Sequence, residues 1–183
     1  MMSNASIGIM VGSLRRESFS RKAALHLAGL LEGRFEVTFF DVAPLEMYNQ
    51  DLEGDPPRSW LRFREQVKAA DAVLFVTPEY NRSLPPVLKN ALDIASRPYG
   101  ANAWSGKPGA VVSVSSGGIG GFGANHHLRQ VATVLNIHMM QQPEAYLGGI
   151  AGLVDENGVS DESAREFLRK FTDAFAAWIG RLL

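Results

Sequence analysis

Four side chains fit for anion chemistry fall within eight residues near the start of the chain: Ser13, Arg15, Ser18 and Ser20. They follow an apolar run at 7–11 and precede Ala23, Ala24, Leu27, Ala28, Leu30 and Leu31, which recur at helical spacing. The segment therefore reads as a strand-to-helix turn, the position at which open parallel sheets bind ligands. The first turn of a helix carries unpaired N–H groups and a partial positive charge. Hydroxyl donors, a planar guanidinium and that helix end together make a socket for a phosphate. Gly12 is the only glycine in the stretch, so neither the G-x-G-x-x-G dinucleotide fingerprint nor a triphosphate loop is present. One compact phosphomonoester suits it better than a pyrophosphate. A blander reading uses the same residues: Ser18 as a helix N-cap and Arg15 as a solvated charge.

Two further polar segments follow apolar runs. Thr77-Pro78-Glu79-Tyr80-Asn81-Arg82-Ser83 offers a flat ring, an amide and successive backbone N–H groups that could meet the edge of a planar heterocycle. Ser115-Ser116-Gly117-Gly118-Ile119-Gly120-Gly121 has four glycines, which let a main chain approach a ligand closely. Taken singly, the first could be only a rigid turn and the second only a connector. A phosphate socket, a surface for a planar ring and a third closing loop together describe a mononucleotide site. Adenine, guanine and flavin mononucleotide all fit that description.

The strands and helices that carry these loops are legible in outline. Strands are expected at 7–11, 35–40, 72–76, 110–114 and 137–140, the third and fourth as pure apolar runs. Such runs mark strands of a parallel sheet covered on both faces. Helices are expected after the first strand and at 60–70, 85–95, 124–135 and 163–182. Leu61, Phe63, Val67 and Ala70 form the expected inner face of the second helix. Phe167, Leu168, Phe171, Ala174, Phe175, Trp178, Ile179 and Leu182 form that of the last. Alternating strands and helices predict an α/β three-layer sandwich with a five-stranded parallel sheet in the flavodoxin-like order 2-1-3-4-5. That order brings the loops after strands one, three and four to one edge. With 183 residues, no repeat and no linker, a single domain over 1–183 is expected.

Composition excludes several alternatives. The 18 basic and 19 acidic residues give a net charge of −1, with no basic field for nucleic acid. Cysteine is absent, which removes disulfides, thiolate metal sites and cysteine nucleophiles. No signal peptide and no apolar run of membrane-spanning length is visible, so a cytoplasmic protein without a membrane partner is expected. His126 and His127 are adjacent and diverge on a helix, while His26 and His138 stand alone, so no metal site is expected.

The motif Gly12-Ser-Leu-Arg-x-x-Ser-Phe-Ser20, followed by Thr77-Pro-Glu-Tyr-Asn-x-Ser-x-Pro-x-x-Leu-Lys-Asn-Ala-x-Asp93, resembles the NAD(P)H-dependent FMN reductases, and among them the soluble bacterial quinone and chromate reductases. The third loop and His127-Leu-Arg-Gln130 are similar too, while the tail adds little. The resemblance implies noncovalent FMN in a flavodoxin-like domain, usually dimeric or a dimer of dimers. It assigns Ser13, Arg15, Ser18, Phe19 and Ser20 to the FMN phosphate. It assigns Pro78, Glu79, Tyr80 and Asn81 to the isoalloxazine, and Ser115, Ser116, Gly117 and Gly118 to the third flavin loop. Ser20 stands where many relatives have Asn, a change that keeps a polar group. Arg82 stands where relatives often have an uncharged residue, and is the candidate contact for the dinucleotide or the acceptor. A solvated surface arginine is the alternative.

The implied reaction moves a hydride from NAD(P)H through bound FMN to quinones, free flavin or other small acceptors such as chromate. Flavin carries that chemistry, so no catalytic side chain is required. The rival from another class is a flavodoxin-type electron carrier without its own NAD(P)H turnover. Carriers usually show an acidic docking surface, which a net charge of −1 does not supply. Self-association to a homodimer or homotetramer is expected. Helix 85–95 and the irregular stretch 98–108, with Tyr99 and Trp104, are candidate surfaces for it. Lys89, Asn90 and Asp93 read as structural or interfacial.

Overall fold

A computed structural model describes residues 5–183. The three most apolar runs form the centre of a parallel sheet: β1 (Ser6–Val11), β3 (Ala72–Pro78) and β4 (Pro108–Val114). These strands are buried along nearly their whole length because helices cover both faces. β2 (Glu36–Phe39) alternates exposed and half-buried residues, as an edge strand does. The order is β2-β1-β3-β4-β5, the flavodoxin-like arrangement, with β5 at His138–Met139.

The fifth position differs from expectation. β5 pairs only with Pro108 and Gly109, and a sixth strand, β6 (Ala145–Leu147), pairs in parallel with Val112–Val114. Residues 140–144, with Pro143 among them, separate the two segments. Proline has no N–H to give a ladder, so the strand breaks there and resumes. A further hairpin, β7 (Val154–Asp155) and β8 (Gly158–Val159), lies against the first helix, where Lys22 Nζ donates to Asp155 O at 2.6 Å.

Alternation along the strands divides the core in two. Ile7, Ile9, Val11, Leu74 and Val76 face α1 (Phe19–Leu31) and α5 (Glu162–Leu182). Met10, Val73 and Phe75 face α2 (Arg58–Ala69), α3 (Pro86–Ala95) and α4 (Phe122–Val134).

Three placements correct the sequence reading. In α2 the inward stripe is Trp60, Phe63, Arg64 and Val67, and this phase leaves Leu61 exposed. Leu182, the last residue of α5, is exposed: it lines an open hollow beside Trp178, Ile137 and, in β5, His138. Trp104, a candidate interface residue, is fully buried. Its ring meets Phe40 and Phe63 edge-on at 6.2 and 6.1 Å, and its Nε1 donates to Leu92 O at 3.0 Å. Tyr99 remains 93% exposed. Asn90 is buried and serves the fold: its Oδ1 accepts Tyr48 N–H at 2.7 Å and its Nδ2 donates to Glu46 O at 3.1 Å. Lys89 and Asp93 form an ion pair on the surface of α3 at 2.7 Å.

Candidate functional site

The first loop leaves β1 through Gly12, whose N–H extends the ladder to Val76 O at 2.9 Å. A Cβ there would lie 2.9 Å from Thr77 Oγ1, so glycine lets the first and second loops touch. Ser13 Oγ accepts the Arg15 N–H at 3.4 Å and turns the chain. Ser18, in extended backbone, caps α1: its hydroxyl accepts Arg21 N–H at 3.1 Å. The cap reading of Ser18 is thus realised in the geometry. The first turn of α1 has no acidic residue, so the positive helix end is not neutralised from within.

The second loop folds back sharply. Tyr80 and Ser83 exchange both backbone hydrogen bonds at 2.9 Å, with Asn81 and Arg82 between them in left-handed backbone, φ 49° and 67°. Left-handed conformation at both central residues is the type I′ turn geometry. Ser83 Oγ and His127 Nδ1 are 2.7 Å apart. The Glu79 carboxylate points to α4, where Oε2 accepts Ala124 N–H at 3.1 Å.

The third loop is anchored rather than slack. Buried Ser113 donates to Gly120 O at 2.7 Å, and Asn125 Nδ2 reaches Ser113 Oγ at 3.3 Å. Ser115 is held on both sides by β6 and its continuation: its N–H donates to Leu147 O, and its carbonyl accepts Ile150 N–H, both at 3.0 Å. Ser115 Oγ accepts Gly117 N–H at 3.1 Å.

These loops enclose one cavity. Ser13, Arg15, Ser18, Phe19 and Ser20 line it from the first loop, Pro78, Glu79 and Tyr80 from the second, and Ser115 and Ser116 from the third. Val114 and Ile150 complete it, and Ile150 was not anticipated. The signal for it was the Gly148-Gly149 pair after Leu147, a turn marker that returns the chain to the sheet edge. Asn81, Gly117 and Gly118 lie outside the lining, at the exposed tips of their loops. Arg82 also lies outside it; its side chain is 72% exposed and pairs with Glu79 Oε1 at 3.3 Å. At about 220 Å³ the cavity is below the ~300–1,000 Å³ of sites that enclose a whole drug-sized ligand. That size suits the anionic end of a ligand rather than the whole of one. A second hollow, with Leu14, Pro85, Pro86 and Val87, lies across the shared wall of Ser13, Arg15 and Tyr80.

Beside the third loop, His126 Nε2 and Tyr146 OH are 2.8 Å apart, and Phe122 packs on the imidazole at a centroid distance of 4.2 Å. Burial, aided by the neighbouring Glu144 carboxylate, pushes the Tyr146 phenol up to about 12. The two adjacent histidines therefore serve different neighbours. Among the described residues no three His, Asp or Glu side chains gather as an ion cage. Among them, too, no helix is long and apolar enough to cross a membrane.

Comparison with known proteins places this geometry in context. A model of the NADPH-dependent FMN reductase family matches residues 5–152. A quinone reductase of Pseudomonas putida is 53% identical over 175 residues, covering 95% of this chain and 94% of its own. A 2-hydroxy-1,4-benzoquinone reductase of a Burkholderia species is 47% identical over 94% of this chain and 95% of its own. Among solved structures, the flavoenzyme NAD(P)H:acceptor oxidoreductase FerB of Paracoccus denitrificans superposes with a TM-score of 0.92. It is 42% identical, over 97% of this chain and 98% of its own.

Proposed function

The chain belongs to the NADPH-dependent FMN reductase family, and from that premise we propose that it is a single-domain FMN-dependent oxidoreductase passing reducing equivalents from NAD(P)H to small acceptors. Quinones are the favoured acceptor class, since the P. putida and Burkholderia relatives are quinone reductases; free flavin and chromate are further candidates. The observation that carries the reading is the convergence of three loops on one cavity with Arg15 and the unneutralised N-terminus of α1 at one end.

The donor set fits FMN. Arg15, the hydroxyls of Ser13, Ser18 and Ser20, and the backbone around Phe19 hold the phosphate in this reading. Pro78, Glu79, Tyr80 and Asn81 supply the surface beside the isoalloxazine in this reading; with Tyr80 N–H spent on Ser83 O, Glu79 and Asn81 are the proposed N–H donors. Ser115, Ser116, Gly117 and Gly118 form the third flavin loop in this reading. Ser115 N–H and Gly117 N–H are spent on Leu147 O and Ser115 Oγ. Ser116 N–H and Gly118 N–H are therefore the donors proposed for the isoalloxazine carbonyl edge, where they would stabilise negative charge as an oxyanion hole does. FMN when bound supplies hydride acceptance and donation, so no side-chain acid or base is assigned. Arg82, at the tip of the second loop, is the proposed contact for the dinucleotide. The open side of the cavity is covered by a second copy of the chain, in a homodimer or homotetramer, which would complete the dinucleotide site. A cytoplasmic location, where NAD(P)H is available, belongs to the same proposal.

The purified protein should be yellow and release FMN on denaturation. NADPH added under nitrogen should bleach it, and a quinone should restore the colour. Colour without bleaching would instead favour the electron-carrier reading, and recovery of FAD would remove the FMN assignment.

A further inference from the structure

Helix α4 starts at Gly121, which lies in left-handed backbone with φ 78° and has no side chain to cap the helix. The N–H groups of an uncapped first turn need partners. One partner comes from a different loop, as Glu79 Oε2 accepts Ala124 N–H at 3.1 Å. The Glu79 side chain is only 11% exposed, so this bond is largely shielded from water, and its other oxygen meets Arg82 at 3.3 Å. The two segments touch at Gly123, where a Cβ would lie 2.7 Å from Arg82 O and 2.9 Å from Glu79 Oε2. One turn further along α4, His127 Nδ1 holds Ser83 Oγ at 2.7 Å. The tight turn at 80–83 is therefore pinned to α4 at both ends. The same helix end terminates the glycine loop, whose Gly120 carbonyl is fixed by Ser113.

We propose that Glu79 is a positioning residue: its carboxylate caps α4 from the neighbouring loop and so fixes the spacing between segments 77–83 and 115–121 on either side of the cavity. The consequence for ligand binding rests on the flavin reading above, because these two segments would grip the ring. A direct effect of the carboxylate charge on bound flavin makes the opposite demand on chemistry. A charge effect tolerates Glu79→Asp and not Glu79→Gln. A cap that depends on reach tolerates Gln, which keeps a carbonyl oxygen at the same position, and not Asp, which is one methylene shorter.

The test compares wild type with Glu79→Ala, Glu79→Gln and Glu79→Asp by amide hydrogen exchange of the ligand-free proteins and by FMN titration. Exchange should quicken in both segments, 78–84 and 116–124, in the Ala and Asp variants and stay near wild type in Gln. The FMN dissociation constant should rise about tenfold in Ala and Asp and less than about threefold in Gln, the scale of one lost charge-assisted hydrogen bond. If Glu79→Ala fails to fold, the order of Gln and Asp decides the matter. Faster exchange confined to 78–84, or Asp binding FMN better than Gln, overturns the proposal. Wild-type protein that binds no FMN overturns the flavin reading instead, and the exchange pattern then decides the link between the loops on its own.

Discussion

The Ser18 hydroxyl accepts the main-chain N–H of Arg21 at 3.1 Å, so a residue whose type suggests an anion ligand is already engaged as a helix cap. The two roles are compatible, because a hydroxyl that accepts one hydrogen bond keeps its own proton to donate to a phosphate oxygen. They separate on substitution. Ser18→Ala should lower the stability of the ligand-free protein by about 1 kcal/mol, the usual cost of a lost N-cap. Ser18→Asp should restore that stability, since Asp caps well, while setting a carboxylate against the phosphate. Denaturant unfolding and FMN titration of the same samples check this. A Ser18→Asp variant that binds FMN as well as wild type would move the phosphate elsewhere.

Arg15 has no such second duty. It is exposed, lines the cavity and, among the described residues, contributes only its main-chain N–H to the turn, at 3.4 Å from Ser13 Oγ. Arg15→Ala should leave stability within about 0.5 kcal/mol of wild type. It should weaken FMN binding by roughly 1.5 kcal/mol or more through the lost charge-assisted bonds. Riboflavin, which lacks the phosphate, should bind both proteins alike. Equal losses for FMN and riboflavin would place Arg15 away from the phosphate.

Tyr146 gives a pH signature. Its phenol is pushed up to about 12, chiefly by burial and further by Glu144, against an ordinary value of 10.0. The folded state then holds this proton more tightly than the unfolded state does. Stability from this source is fully present below pH 10.0 and is lost as pH rises through about 12. The melting temperature of wild type should fall more steeply across that window than that of Tyr146→Phe. Parallel profiles would show that the phenol titrates normally.

Trp104 and Tyr99 lie five positions apart in one irregular stretch and have opposite fates. Trp104→Ala removes a fully buried ring and should destabilise the protein by about 3–5 kcal/mol without altering the folded protein's association. Tyr99→Ser should change stability by less than about 0.5 kcal/mol. If the proposed subunit contact includes this stretch, that variant should shift sedimentation toward monomer at micromolar concentration. Wild type sedimenting as a monomer would remove the proposed assembly altogether.

This pair shows where local sequence stops being informative. β1, β3 and β4 were legible because strands buried on both faces leave unbroken apolar runs, and α5 because its apolar residues keep helical spacing. The three loops were legible from their hydroxyls, prolines and glycines. An aromatic residue in an irregular stretch carries no period, so nothing local separated Trp104 from Tyr99. β6 is three residues long and follows a proline, too short for alternation to register. The bond from Glu79 to Ala124 spans 45 positions. Its carboxylate could be placed only once the fold had brought the second loop against α4. The left-handed Arg82 was hidden for a different reason: arginine is not a residue that marks such turns.

Arg82 therefore offers the sharpest test of the proposed dinucleotide contact. It sits in left-handed backbone at φ 67°, where glycine would be free of strain. Its ion pair with Glu79 is 72% exposed on the Arg82 side, and a pair so placed contributes at most about 1 kcal/mol. Neither local geometry nor stability calls for arginine here, and an observed backbone outlier beside a cavity is grounds for a functional hypothesis. Arg82→Gly should leave stability unchanged or raise it by up to about 1 kcal/mol. It should leave FMN affinity unchanged and raise the KM for NAD(P)H severalfold. Arg82→Lys, which keeps the charge, should stay near wild type. A larger effect with NADPH than with NADH would direct the guanidinium to the extra phosphate. Steady-state kinetics with a quinone acceptor measure all of these, and unchanged KM values for both dinucleotides in Arg82→Gly would return Arg82 to the solvent.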